Sequence, residues 1–184
     1  MRKMYVALTI ILMFAAIAPA QDIGFHAIAP KVGVLFPEDP WDTGFLFGAK
    51  VNMGELSENL ELQPFALYWT SSTDLFGIDL SLTNIQIGGD VVYFLPNVEG
   101  LYAGGGLSIN FLSFESGATF FNPFTGQTES VTEDVSDTKI GFGLVGGYEI
   151  PVGDNWAFIE GKYNIISDFN TFEIEVGYFF DLTR

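Results

Sequence analysis

The sequence predicts an all-β chain, an eight-stranded antiparallel up-and-down transmembrane β-barrel, and three observations carry that prediction. From residue 21 onward, eight runs of roughly ten residues alternate large apolar side chains with Gly, Ser, Asn or a charge, and each run meets a turn. Strand side chains point alternately to opposite faces, so every run owns one apolar face and one small, polar face. Beyond residues 1–20 no apolar stretch approaches the roughly 20 residues a helical span requires, so crossing a bilayer falls to strands. The chain is also 48% hydrophobic and 16% aromatic while carrying 23 acidic residues, seven basic ones and no Cys.

Alternation alone leaves the inward face open, because a soluble lipocalin-type barrel would turn its apolar set inside. The chemistry of the polar set decides. It is mostly Gly, Ser and Asn, a poor solvating surface but a good fit to a cramped eight-stranded interior. The apolar set is large and continuous, which in water would be an aggregation liability. The apolar face is therefore assigned to lipid.

Residues 1–20 read as a cleavable signal peptide. Arg2 and Lys3 form a positive start, Met4 to Ala16 an apolar stretch, and Ala18-Pro19-Ala20 a small-residue cleavage site before Gln21. The remaining 21–184 read as one outer-membrane barrel domain. The missing Cys removes a lipid-anchored form and any disulfide framework. Cleavage leaves Lys31, Lys50, Lys139, Lys162 and Arg184 against the acids. That balance argues against nucleic acid and anionic headgroups as direct partners.

The first strand, about 28–36, sets Ile28, Val32, Val34 and Phe36 against Lys31, Gly33 and Leu35. After Pro37 to Thr43, the second sets Phe45, Phe47, Ala49, Val51 and Met53 against Leu46, Gly48, Lys50 and Asn52. The third begins near Leu60 and holds Pro64, which cannot donate to a ladder. A bulge there is expected to change parity and turn Phe65, Leu67 and Trp69 outward. After a polar loop from Thr70 to Asp79, the fourth sets Ile85, Ile87, Val91 and Tyr93 against Asn84, Gln86, Gly88 and Asp90. The fifth sets Leu101, Ala103, Leu107, Ile109 and Phe111 against Tyr102, Gly104, Gly106, Ser108 and Asn110. A long loop is expected from Glu115 to Asp137.

The sixth strand sets Ile140, Phe142, Leu144 and Tyr148 against Lys139, Gly141, Gly143 and Gly147. The seventh sets Ile159, Tyr163 and Ile165 against Glu160, Lys162 and Asn164. The eighth alternates Phe172, Ile174, Val176, Tyr178 and Phe180 with Glu173, Glu175, Gly177 and Phe179. Short turns follow even strands and the longest loop follows an odd one, as in barrels whose N-terminus is periplasmic. Trp41, Trp69, Tyr93, Trp156 and Tyr178, near strand ends, suit interfacial girdles.

Over its whole mature length the chain resembles the small outer-membrane β-barrel family, the OmpX-like and OmpA-transmembrane-domain-like proteins. Glu175-x-Gly177-x-x-Phe180-x-Leu182 looks like the assembly signal of such barrels, although Leu182 replaces an aromatic and Thr183-Arg184 follow it. The resemblance implies recognition of the last strand by the barrel-assembly machinery.

Little in the sequence supports catalysis. Gly141-x-Gly143-x-x-Gly146 matches a dinucleotide fingerprint by letter but lies inside a strand, with no helix N-terminus to meet a pyrophosphate. His26, the one histidine, sits in the tail before the first strand, where no nucleophile is held beside it. No Cys/His metal cluster is available, and the acidic loops lack calcium-loop spacing. The polar faces instead place Lys31, Lys50, Glu160, Lys162, Glu173 and Glu175 inside, as an ion-pair network that fills the barrel rather than a gated ion path. Reflection through the loop near Asp168 sets Lys162 opposite Glu175, and Lys31 and Lys50 need a carboxylate between them.

The function expected is therefore a non-enzymatic integral outer-membrane barrel with a structural or surface-contact role through its extracellular loops. A narrow porin-like channel for small solutes is the alternative. No cofactor is implied. Outer-membrane lipid and, during insertion, the assembly machinery are the expected partners. The expected location is the outer membrane of a diderm bacterium, reached through the periplasm.

Overall fold

The structure, a computed structural model, describes residues 23–75, 78–122, 127–167 and 169–183. The signal-peptide segment lies outside them. The described chain is strand throughout: β1 (Ala27–Pro37), β2 (Gly44–Asn52), β3 (Glu55–Ser57), β4 (Leu60–Leu75), β5 (Ile78–Phe94), β6 (Leu101–Asn122), β7 (Gln127–Val152), β8 (Asn155–Ile166) and β9 (Phe169–Asp181). Sequence neighbours pair antiparallel, β1 also pairs β9, and β2 pairs β4 across the short β3. Eight long strands thus close into an up-and-down barrel, and closure removes the free edges that would otherwise need protection.

The inside-out pattern follows the alternation. Phe45, Ile140 and Val32 stand 71%, 60% and 56% exposed on the outer wall, whereas Lys31, Glu160 and Glu175 on the opposite parity are buried. The apolar-out assignment is what the structure has.

β4 departs from expectation. Its ladder with β5 runs unbroken through Pro64↔Gly89, so parity does not change at the proline, and Phe65, Leu67 and Trp69 are buried inside. The irregularity lies earlier, between Glu55 and Ser57. Pro64 is tolerated because its missing donor falls in a gap. Leu62 turns both backbone groups toward the β2 side, accepting from Met53 N at 3.0 Å and donating to Gly54 O at 3.3 Å. Strand alternation aims Pro64 the same way, between that pair and the last β2–β4 rung at Lys50↔Phe65. Trp69 therefore belongs to the interior rather than a girdle. Trp41 and Trp156 likewise pack against interior clusters, while Tyr93 is exposed on the wall.

The two expected loops are also largely strand. β4 and β5 pair out to Leu75↔Ile78, and β6 and β7 out to Asn122↔Gln127. Two antiparallel strands leaving a barrel side by side keep satisfying each other's backbone groups, so the ladder continues where polarity suggested a loop. β7 pairs β8 only from Gly141, so its first stretch, 127–140, rises as a hairpin with β6 beyond the β8 rim.

Candidate functional site: the barrel interior

The inward side chains form layers along the axis. At the end holding both described termini, Ala27, Ala29, Phe158 and Phe179 cluster with Trp156, and Val92, Tyr102 and Val145 cluster with Phe94. Beneath them opens a mouth cavity of about 600 Å³ lined by residues that include His26, Asn52, Glu61 and Asp181. His26 is held there by its backbone, donating to Asn52 O at 2.9 Å and accepting from Leu182 N at 2.8 Å. At the far end Leu35, Leu46, Phe65, Leu67, Trp69, Leu82 and Leu112 form an apolar plug, with Trp41 and Phe169 packed against it. The charges lie between.

Glu160, on β8, is the hub. It accepts from Lys50 Nζ at 2.6 Å and from the Tyr102 hydroxyl at 2.6 Å, and Lys31 Nζ lies 3.6 Å away. A carboxylate thus stands between Lys31 and Lys50, which sit on adjacent strands at neighbouring rungs, Lys31↔Gly48 and Ala29↔Lys50. Lys31 is also paired with Glu175. Lys50 donates to Gln63 Oε1 at 3.1 Å as well.

The opposition of Lys162 and Glu175 is corrected. Pairing of β8 and β9 continues to Ile166↔Phe169, a tighter turn than the sequence suggested. Every rung therefore shifts by two residues, and Lys162 faces Glu173 while Glu160 faces Glu175. The Lys162 ammonium instead reaches Asp90 of β5, donating to its two oxygens at 2.9 and 2.6 Å. Two strands separate β8 from β5, and glycines clear the way. A Cβ at Gly143 would stand 2.8 Å from Lys162 Cε, and one at Gly106 would strike Asp90. The glycines of the supposed dinucleotide fingerprint therefore make room for side chains.

Aromatic rings complete the solvation of these cations. Lys162 Nζ lies 3.6 Å from the Phe65 ring centre and Lys31 Nζ 5.1 Å from it, while Lys50 Nζ lies 4.0 Å from Phe158. At such distances the ring face attracts a desolvated ammonium. Phe65, Asp90 and Tyr102 thus join the six residues singled out in the sequence. Asp90 had a legible signal, being the lone acid on the inward face of its strand. Phe65 had none, because both faces of β4 are apolar around it.

Of the assembly-signal pattern, Glu175 is buried among the charges and Gly177 is half-buried, its bare α-carbon facing the Phe158 ring. Phe180 and Leu182 are exposed, 46% and 51%.

No curated protein matches the chain. Among solved structures it is similar to Neisserial surface protein A, with 12% identity and a TM-score of 0.56, covering 86% of this chain and 98% of that one. It is likewise similar to Ail, the attachment invasion locus protein of Yersinia pestis, with 15% identity and a TM-score of 0.51, covering 85% of this chain and all of that one. At these identities the likeness is one of fold. The family described as outer membrane protein beta-barrel domain matches residues 6–180, most of the sequence and every long strand of the barrel. With a closed barrel, an apolar outer wall and that match together, the chain belongs to the outer-membrane β-barrel family and is an outer-membrane protein.

Proposed function

We propose that this protein is a non-enzymatic outer-membrane barrel whose packed interior bars solute passage and whose projecting hairpin serves surface contact. The observation that carries the reading is the stack of inward layers. Aromatic clusters, paired charges, an amide belt and an apolar plug follow one another along the axis. An eight-stranded barrel is only just wide enough for its own side chains, so such a stack leaves no water column.

The hairpin supports the second half. A strand that crosses a bilayer uses about 9–11 residues. β6 has 22 and β7 has 26, so both reach well past the membrane. Termini on the opposite side put this hairpin on the extracellular side when the N-terminus is periplasmic. Export would begin with cleavage of the 1–20 segment, and the pattern of Glu175, Gly177, Phe180 and Leu182 supports insertion by the barrel-assembly machinery.

Planar-bilayer recording tests the sealed interior. The purified barrel should give no stable single-channel steps. Steps that vanish in Lys162→Ala or Glu175→Ala would overturn the reading and favour a narrow pore.

A further inference from the structure

Among the described residues three ammonium groups and four carboxylates are buried inside the barrel: Lys31, Lys50 and Lys162 against Asp90, Glu160, Glu173 and Glu175. The lysines are all engaged. Lys50 holds Glu160, Lys31 is shared by Glu160 and Glu175, and Lys162 holds Asp90. One carboxylate is left over. Glu173, 0% exposed, receives a single hydrogen bond, from the Thr171 hydroxyl to Oε1 at 3.4 Å, and its Oε2 has no partner. Lys162 is opposite it in register but has turned to Asp90.

Other acceptors without donors lie beside it. Asn164 Oδ1 and Glu175 Oε1 are buried and unpartnered. Asn164 connects to Glu173 through Thr171, its Nδ2 donating to that hydroxyl at 3.4 Å. Glu175 is two residues along the same face of β9, with its α-carbon about 7 Å away. An isolated buried carboxylate is strongly disfavoured unless a positive charge accompanies it. Three oxygens of contiguous side chains and one surplus negative charge are a demand for a small cation.

We propose that the barrel interior binds one alkali-metal cation at Glu173, with the free oxygens of Glu175 and Asn164 as further ligands. Oxygen-only donors suit hard cations. A single surplus charge, with Lys31 and Lys162 close by, selects a monovalent ion over a divalent one. The site holds whether or not the lumen conducts, since it needs only the charge imbalance at β8 and β9.

The test uses the whole barrel refolded in detergent, unfolded by urea in sodium chloride and in N-methyl-D-glucamine chloride at equal ionic strength. The unfolding midpoint should rise with sodium concentration, by a constant step per tenfold once the site is saturated. In Glu173→Gln, which keeps the shape and removes the charge, that dependence should vanish. Independently, a wild-type crystal soaked in rubidium chloride should show one anomalous peak against the Glu173 carboxylate, which decides the matter if the variant does not fold. A midpoint that ignores cation identity, with no rubidium peak, overturns the proposal. Stability that then follows pH would assign the missing charge to a proton, and stability that follows neither would assign the space to water.

Discussion

The middle of the barrel and its plugged end fill the same cylinder by opposite means. In the middle, Lys31, Lys50 and Lys162 find carboxylates on β5, β8 and β9, some of them across the lumen. At the plugged end, Leu35, Leu46, Leu67, Trp69, Leu82 and Leu112 meet without a charged group among them. Paired charges are directional, so each works only if strands far apart in sequence hold the right register. Apolar packing is non-directional, and its cost depends on volume more than on a particular partner. The charged layer thus specifies the arrangement, while the plug adds burial to whatever arrangement is specified.

The comparison is broken most directly at Glu160. Glu160→Met leaves Lys50 with no carboxylate and should cost about 3–5 kcal/mol of unfolding free energy in detergent or lipid. Lys50→Met in the same chain should return much of that loss. A cost no larger than an exposed ion pair's would mean the middle layer is wet and shielded.

Truncating the plug should cost a comparable or smaller amount but follow different rules. Leu67→Ala should lose about 2–5 kcal/mol, whereas Leu67→Met, which nearly conserves volume, should lose less than about 1.5 kcal/mol. Equal losses from both would show that the plug is as partner-specific as the charges. Urea unfolding followed by Trp fluorescence reads either outcome.

A double-mutant cycle sharpens the register. Lys162→Met with Asp90→Leu should show a coupling energy of about 0.5–3 kcal/mol, while Lys162→Met with Glu175→Met should be additive within about 0.5 kcal/mol. Coupling to Glu175 instead would restore the wider β8–β9 turn that the structure replaces. The smallest effect belongs outside the barrel. Glu38 accepts at 3.2 Å from both the backbone and the side chain of Asn170, in an exposed contact joining the β1–β2 connection to β9. Glu38→Gln should shift the midpoint by no more than about 0.5 kcal/mol.

β4 shows where reading the sequence fails. On β6 and β7 the inward face announces itself by smallness, with Gly104, Gly106, Ser108, Gly141 and Gly143 against bulky neighbours. On β4, Phe65, Leu67 and Trp69 point inward while Ala66 and Tyr68 point outward. Size runs the wrong way there. Pro64 then invites a bulge that the backbone does not need, because the proline's missing donor meets a gap in the ladder.

The sequence by itself determined the strand-built wall, its apolar outer face and the confinement of Lys31, Lys50, Glu160, Lys162, Glu173 and Glu175 to the inward face. All of these follow from alternation within one strand, a local property of period two. Only the tertiary structure decided that Lys162 takes Asp90, that Phe65 lies beneath two ammonium groups, and that Glu173 is left without a lysine. Those contacts depend on turn lengths, on the register of eight ladders and on which strands a closed cylinder brings across its axis. No single run of residues carries that information, because a slip of two residues at one turn preserves every face and changes every partner.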